Sequence, residues 1–263
     1  MPEASRELGA AITARLHTVA LGRALRCLPA CASTNDEAAA WAKLGAPDGA
    51  VVIALAQSAG RGRLGRSWHS PPGENLYLSV ILRPPLPPHR APPLTLVAGV
   101  AVAAALTGLG AEVELKWPND LLVGGRKIAG ILTELSCRGT AIEHVVLGLG
   151  VNVGSRAFPA ELAARATSLA LVLPAPVTIA EVAAALCDHL ERWYQRYLDQ
   201  GVAPIVQAWR GFARFLGQPI TVDLGAGFAR GTAVDLDADG ALLVRAESGR
   251  LRRIIAGEIV AQP

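Results

Sequence analysis

The feature that most constrains the fold is a long stretch without a charged side chain, residues 91–111. It has the length of a membrane span. However, Ala, Gly and Thr dominate its composition, and Pro92 and Pro93 stand where a helix would begin. We therefore expect a helix over about 93–109 that is buried in the core of a globular protein, with no membrane association. A chain of 263 residues has room for such a core in one large domain, or in a core domain with a smaller one.

The pattern along the chain predicts an α+β fold in three parts. Residues 1–22 form an N-terminal extension, with a short helix that we expect to be attached loosely. Residues 23–215 mix apolar strands with amphipathic helices and form the main domain. From residue 216 to 263, short alternating runs separated by glycine-containing turns predict a small β-barrel.

Composition excludes several classes of protein. The chain is 51% hydrophobic and 18% charged, which is typical of a globular protein and not of a disordered one. A net charge of +3 is small for a dedicated nucleic-acid binder. The four cysteines form no C-x-x-C pair, and the N-terminus lacks the apolar block of a signal peptide. We expect reduced thiols and a cytoplasmic location.

The stretch QSAGRGRLGRSW, residues 57–68, contains Gly60, Gly62 and Gly65 in the G-x-G-x-x-G spacing of dinucleotide-binding loops. That motif has to open a helix, and the residues after Gly65 include Pro71 and Pro72 and cannot do so. The three arginines of the loop carry permanently charged guanidinium groups that suit carboxylates and phosphates. The stretch therefore predicts a mobile loop that closes over a small anionic ligand. Nucleic-acid binding by the same loop is the alternative.

Two further stretches each allow a structural and a functional interpretation. KWPNDLLVGGRKIAG, residues 116–130, reads as a hairpin with many polar groups near apolar strands. In it, Asp120 is suited to hold Mg²⁺ or a positive side chain, and Lys127 returns towards the same face. Ser33-Thr34-Asn35 precedes a helix, and Thr34 with Glu37 predicts a capping box, which would explain this stretch without any function.

Taken together, these motifs and Gly148-Leu149-Gly150-Val151-Asn152 resemble those of the biotin protein ligases in order and spacing. The resemblance extends over about residues 24–262 and includes Gly257-Glu258-Ile259 near the C-terminus. It implies a mixed-sheet catalytic core like that of class II aminoacyl-tRNA synthetases and an SH3-like C-terminal β-barrel. It also implies a two-step enzyme, a biotin–[acetyl-CoA-carboxylase] ligase. Biotin and ATP form biotinyl-5′-AMP, and a lysine of a biotin carboxyl carrier domain then takes the biotinyl group.

The resemblance also assigns roles to residues. The catalytic residues are Arg63, Lys127 and Asp120, and Asp120 also binds Mg²⁺. The biotin site consists of Ser33, Thr34, Asn35, Gln57, Arg61, Gly62, Arg63, Lys127 and Gly130. The ATP site consists of Arg66, Trp68, Asn119, Asp120 and Asn152.

Two departures from the family pattern refine these expectations. Leu64 stands where the family often has another arginine in the loop, and about 25 residues precede the catalytic region, fewer than an N-terminal DNA-binding domain needs. We therefore expect a ligase-only form, a monomer or homodimer, that does not bind nucleic acid or act as a repressor. A lipoate or octanoate ligase, with the same architecture, is the alternative among enzymes.

Overall fold

A computed structural model describes residues 3–261 of the chain. The helices are α1 (Glu3–Thr13), α2 (Thr34–Lys43), α3 (Leu94–Gly108), α4 (Ala160–Ala163), α5 (Leu169–Val172), α6 (Ile179–Gln200) and α7 (Ala203–Phe212). The strands are β1 (Leu25–Leu28), β2 (Val51–Ala54), β3 (Leu76–Leu82), β4 (Glu114–Lys116), β5 (Asp120–Val123), β6 (Arg126–Arg138), β7 (Ala141–Val151), β8 (Pro219–Asp223), β9 (Phe228–Leu236), β10 (Leu242–Arg245), β11 (Leu251–Ile254) and β12 (Glu258–Ala261).

The larger sheet has seven strands in the order β1-β2-β3-β7-β6-β5-β4. Strands β1 and β2 run parallel, and every other neighbouring pair is antiparallel. The predicted α+β fold with a mixed sheet is confirmed. Because side chains alternate across a strand, Gly148 and Gly150 of β7 share one face of this sheet, and Leu147 and Leu149 point to the other.

The uncharged stretch forms α3, which lies in the core as expected. The segment Pro88–Gly108 is the one part of the described chain that is long and apolar enough to span a membrane, and 72% of that window is buried inside the protein. Helix α3 contacts α6, α7 and β6. A Cβ atom at Gly99 would lie 3.2 Å from Leu115 and 3.3 Å from Trp209, so a glycine permits this close packing.

Helix α2 covers the opposite face of the sheet with a smaller apolar cluster. Its buried residues Ala38 and Ala42 pack with Val52, Ile81 and Val146 from three neighbouring strands. The N-terminal end of α2 therefore lies over the same face as Gly148 and Gly150. This end of the helix and this patch of the sheet enclose the site described below.

The expectation of a loosely attached N-terminal extension was wrong. Ile12, Leu16 and Leu21 are buried in the main core. In addition, the carboxylate of Glu191 on α6 accepts backbone N–H groups of residues 19–21 at 2.7–2.8 Å. These contacts, apolar and charged together, fix the N-terminal segment to the body of the protein.

The C-terminal strands form a separate antiparallel sheet in the order β11-β10-β9-β8-β12. Its inner face buries Val222, Leu242 and Ile259, as the alternating sequence predicts. The indole of Trp117 donates to the carbonyl of Gly240 at 3.2 Å, which ties this sheet to the main one. The SH3-like topology and the domain boundaries after residues 22 and 215 stay predictions.

Candidate active site

Two cavities adjoin on the α2 side of the large sheet. The first has about 470 Å³ of space outside the protein atoms, part of which is open to solvent. The second is a larger, more open cleft that continues from the first. Both are lined by Gly62, Arg63, Trp68, Asn119 and Lys127. Two ligands bound side by side would therefore meet at these five residues.

The closed end of the first cavity is built from Ser33, Thr34, Asn35 and Gln57. The Oε1 atom of Gln57 accepts the backbone N–H of Thr34 at 2.8 Å and lies 3.2 Å from its hydroxyl oxygen. Ser33 is the N-cap of α2 and makes no side-chain cap bond. The predicted capping box of Thr34 and Glu37 was therefore wrong, because the Thr34 hydroxyl is turned towards Gln57 and Ser79. Helix capping does not account for this stretch.

Charged residues surround the outer side of that end. Asn35 donates from Nδ2 to Glu134 Oε2 at 2.6 Å. Arg61 pairs with Asp36 at 2.7 Å and with Glu134 at 3.1 Å. The guanidinium of Arg61 is thus already neutralised by two carboxylates, whereas the sequence had suggested an arginine free to attract an anionic ligand. Arg61 still lines the cavity.

Three glycines form part of the floor of the first cavity. Gly130 and Gly150 face each other across β6 and β7, and Gly148 lies two residues before Gly150. A Cβ atom at Gly148 would lie 2.2 Å from Asn35 Oδ1, and one at Gly150 would lie 2.5 Å from the Trp68 ring. We call these three residues the glycine floor. Asn35 and Trp68 rest directly on the sheet because these positions are glycine.

Lys127 stands at the junction of the two cavities. Its Nζ atom is 2.6 Å from Asp120 Oδ1 and 5.3 Å from the centroid of the Trp68 ring. The side chain of Asp120 is 12% exposed and that of Lys127 is 34% exposed. Of the two roles expected for Asp120, holding Mg²⁺ or a positive side chain, the structure shows the second, with Lys127 as the partner.

The loop of residues 57–68, called the arginine loop from here on, bridges the two sheets. Arg63 donates to Asn119 Oδ1 at 3.1 Å and to the carbonyl of Gly257 at 3.4 Å, and Arg66 pairs with Glu258 at 2.7 Å. Arg63 is more buried than Arg66, and this burial lowers the pKa of its guanidinium. An arginine nevertheless stays charged at neutral pH. The loop therefore keeps its positive charge beside the cavities. Arg63 attaches it to Asn119 of the main domain, and both arginines attach it to residues 257–258 of the C-terminal part.

Glu258 is the carboxylate that anchors the loop to the C-terminal sheet. Burial opposes its ionisation, but the hydrogen bond from Arg66 and the charges of Arg66, Lys116 and Lys127 outweigh that effect. The pKa of Glu258 consequently lies below its ordinary value of 4.5. At neutral pH the contact is a charged pair.

The second cleft contains residues that were predicted and residues that were missed. Asn119 and Asp120 line it, as do Trp68, Arg66 and Asn152. The amide of Asn152 donates to the backbone carbonyl of Thr167 at 2.9 Å, so it also holds the loop that forms the far wall. That wall consists of Phe158, Leu162, Arg165 and Ala166. No motif in the sequence indicates them, because they lie in and around the short helix α4, in a stretch with ordinary composition.

The residues present fit a Mg²⁺ ion that shares its ligands with a nucleotide. Among residues 3–261 there is no group of three or more His, Cys, Asp or Glu able to hold a metal by itself. Mg²⁺ usually takes one or two carboxylates together with phosphate oxygens and waters. Asp120, buried in the cleft beside Asn119, supplies such a carboxylate. This donor set suits an ion that arrives with a phosphorylated ligand.

Comparisons with known proteins agree with this geometry. Solved structures with this fold include a biotin protein ligase from Aquifex aeolicus in complex with biotin and ATP, with a TM-score of 0.80 and 28% sequence identity. The match covers 92% of this chain and all of the other one, 100%. The fold and the paired cavities therefore define a ligase of this structural class.

Sequence relatives and family models identify the family. Residues 29–152 match the biotin/lipoate A/B protein ligase family, and residues 215–261 match the biotin protein ligase C-terminal domain. The bifunctional ligase/repressor BirA of Bacillus spizizenii is 35% identical over 93% of this chain and 76% of its own length. The biotin–[acetyl-CoA-carboxylase] ligase of Paracoccus denitrificans is 37% identical over 83% of this chain and 92% of its own length. The chain belongs to the biotin protein ligase family.

Proposed function

We propose that the protein joins biotin to a lysine of a biotin carboxyl carrier protein in two steps, through biotinyl-5′-AMP. The observation that carries this proposal is the junction of the two cavities at Arg63 and Lys127. One cavity has neutral polar side chains at its closed end that suit the biotin head group, and the other is an open cationic cleft suited to ATP. Their shared wall is where the biotin carboxylate and the α-phosphate would meet.

In the first step, a carboxylate oxygen of biotin attacks the α-phosphorus of ATP, and pyrophosphate leaves. Both reactants are anions, so the step needs positive charge at the junction. Lys127 Nζ is within reach of both cavities and is held by Asp120, and Arg63 borders both as well. Mg²⁺, when bound with ATP, would offset phosphate charge next to Asp120 and Asn119.

The remaining predicted residues divide between the two ligands. Ser33, Thr34, Asn35 and Gln57 offer neutral donors and acceptors for the ureido ring, and Arg61, Gly62 and Gly130 complete that cavity. Arg66, Trp68, Asn119 and Asn152 line the nucleotide side. The apolar wall of Phe158 and Leu162 suits the face of the adenine ring.

In the second step, the neutral amine of the acceptor lysine attacks the carbonyl carbon of the mixed anhydride. An amide bond forms, AMP leaves, and the amine loses a proton. The arginine loop excludes water from the anhydride until the acceptor arrives. We propose the carrier subunit of acetyl-CoA carboxylase as the acceptor and the cytoplasm, which suits the free cysteines, as the location.

The test is to incubate the purified protein with ATP, Mg²⁺ and biotin without an acceptor, and to look for bound biotinyl-5′-AMP by mass spectrometry. A parallel reaction contains lipoate. We expect the biotin adenylate alone. Formation of the lipoate adenylate alone would place the protein in the lipoate branch of the family. The absence of an adduct with either acid would refute the adenylation step.

A further inference from the structure

Glu134 occupies an unusual position beside the first cavity. It lies on β6 and does not line the cavity. Its side chain is 42% exposed. However, its carboxylate accepts the Nδ2 group of Asn35 at 2.6 Å, and Asn35 lines the cavity. Glu134 thus acts on the cavity through another residue.

An ionised carboxylate can only accept hydrogen bonds, so it fixes the orientation of the amide that faces it. Asn35 must present Nδ2 to Glu134, which leaves Oδ1 facing Ser79. The buried hydroxyl of Ser79 donates to that oxygen at 2.6 Å. Without the charge on Glu134, the amide of Asn35 could turn over, and this bond would be lost or reversed.

The hydrogen bond from Ser79 to Asn35 also constrains the hydroxyl of Thr34. Ser79 Oγ is also 2.8 Å from Thr34 Oγ1, but a hydroxyl has one proton, and Asn35 Oδ1 requires it. The Thr34 hydroxyl then donates to Ser79 or to Gln57 Oε1, which is 3.2 Å away. In either case its proton remains within the network, and an oxygen lone pair of Thr34 is left to accept a hydrogen bond from a ligand.

We propose that Glu134 is a positioning residue that sets the direction of the hydrogen bonds at the closed end of the biotin cavity, so that this end accepts the N–H groups of the ureido ring. The inference rests on the proposed function. It assigns to Glu134 a role in the recognition of the biotin head group and no role in the transfer chemistry at Lys127.

The neighbouring charges make a conservative test possible. Arg61 pairs with Asp36 at 2.7 Å as well as with Glu134, so Glu134→Gln leaves the arginine with one carboxylate. Glutamine also keeps the size of the side chain. Glu143→Gln is a matched control because Glu143 pairs with Ser136 and Arg138 on the same hairpin, away from the cavities.

The experiment measures biotinyl-5′-AMP formation at varied biotin and at varied ATP for wild type and both variants. For Glu134→Gln we expect KM for biotin to rise about 10-fold, because glutamine can either accept from Asn35 or donate to it and so no longer fixes the orientation of that amide. We expect kcat at saturating biotin, KM for ATP and the unfolding temperature to change little. Glu143→Gln should leave all of these values near those of the wild type.

Three outcomes are decisive. An unchanged KM for biotin in Glu134→Gln would overturn the inference. So would a parallel loss of kcat, ATP affinity and thermal stability, because that pattern indicates a structural role. If the wild type itself forms no biotinyl-5′-AMP, the proposed function fails first, and this result is distinguishable because it does not involve the variant.

Discussion

Substitution of one residue of the glycine floor, Gly148→Ala, offers the sharpest test of the site geometry. The added methyl group would lie 2.2 Å from Asn35 Oδ1, whereas ordinary van der Waals contact begins at 3.4 Å. The amide of Asn35 would have to move by more than 1 Å. Because Asn35 is held by bonds of 2.6 Å to both Glu134 and Ser79, this movement would break or strain both.

The magnitude follows from those two bonds. A hydrogen bond to a charged group contributes about 1.5–3 kcal/mol and a neutral one about 0.5–1.5 kcal/mol. Part of this loss falls on folding and part on ligand binding. If about half of this total of about 2–4.5 kcal/mol reaches biotin binding, KM for biotin rises by roughly 5- to 40-fold. KM for ATP should stay close to that of the wild type, because Asn35 does not line the second cleft.

The assay is initial-rate adenylate formation together with thermal unfolding. Gly211→Ala in α7 is the matched control, since a Cβ atom there meets nothing within 4 Å. It should bind biotin like the wild type and unfold at the same or a slightly higher temperature. A Gly148→Ala variant whose KM for biotin stays within a factor of about two of the wild-type value would refute the reasoning, because Asn35 would then not need its observed position.

Three other predictions concern the loop, acid stability and the thiols. Arg63→Gly should release biotinyl-5′-AMP faster than wild type, measured by filtration of the preformed complex, because Arg63 ties the loop to Asn119 and to the C-terminal sheet; equal retention would exclude that role. Because the pKa of Glu258 is lower in the folded protein, ionised Glu258 stabilises the fold at pH values above 4.5, the ordinary pKa of the group. This contribution is lost as the pH falls through the pKa of Glu258 in the folded protein. The wild type should therefore be more stable to unfolding than Glu258→Gln at neutral pH and should lose this difference below a pH of about 4.5. A difference that persists at lower pH would show that the ion pair with Arg66 is not its cause. Burial, with Glu37 and Asp36, raises the pKa of Cys31 to about 11, whereas Cys137 is exposed. Alkylation at pH of about 8 should reach Cys137 first, as peptide mass spectrometry would show, and preferential labelling of Cys31 would contradict its placement.

The sequence supports prediction of the fold wherever periodicity and family motifs agree. The uncharged helix and the C-terminal strands follow from their apolar patterns, whereas the mixed sheet follows from the family resemblance. The loosely attached N-terminal segment was predicted wrongly. It is held by burial of its apolar side chains in the core and by Glu191, a residue 170–172 positions away whose contacts cannot be read from local sequence.

The candidate site likewise contains residues that the sequence indicates and residues that it does not. The motifs carry most of the residues that line the cavities, but they do not indicate Ser79 or Glu134, which contact Asn35 from β3 and β6, the strands on either side of β7. The spacing of Gly148 and Gly150 was the one available signal for the floor, since glycine at alternate positions of a strand allows a close approach on one face. The capping box failed because a tertiary partner, Gln57, competes for the Thr34 hydroxyl.

The bonds from the arginine loop to Gly257 and Glu258 have a thermodynamic consequence. The same loop is held from one side by the C-terminal sheet and faces the ligand cavities on the other. Any ligand that binds better to the held loop must, by linkage, strengthen the attachment of the C-terminal sheet by the same free energy. Ligand binding in the cavities should therefore raise the free energy needed to detach the C-terminal sheet.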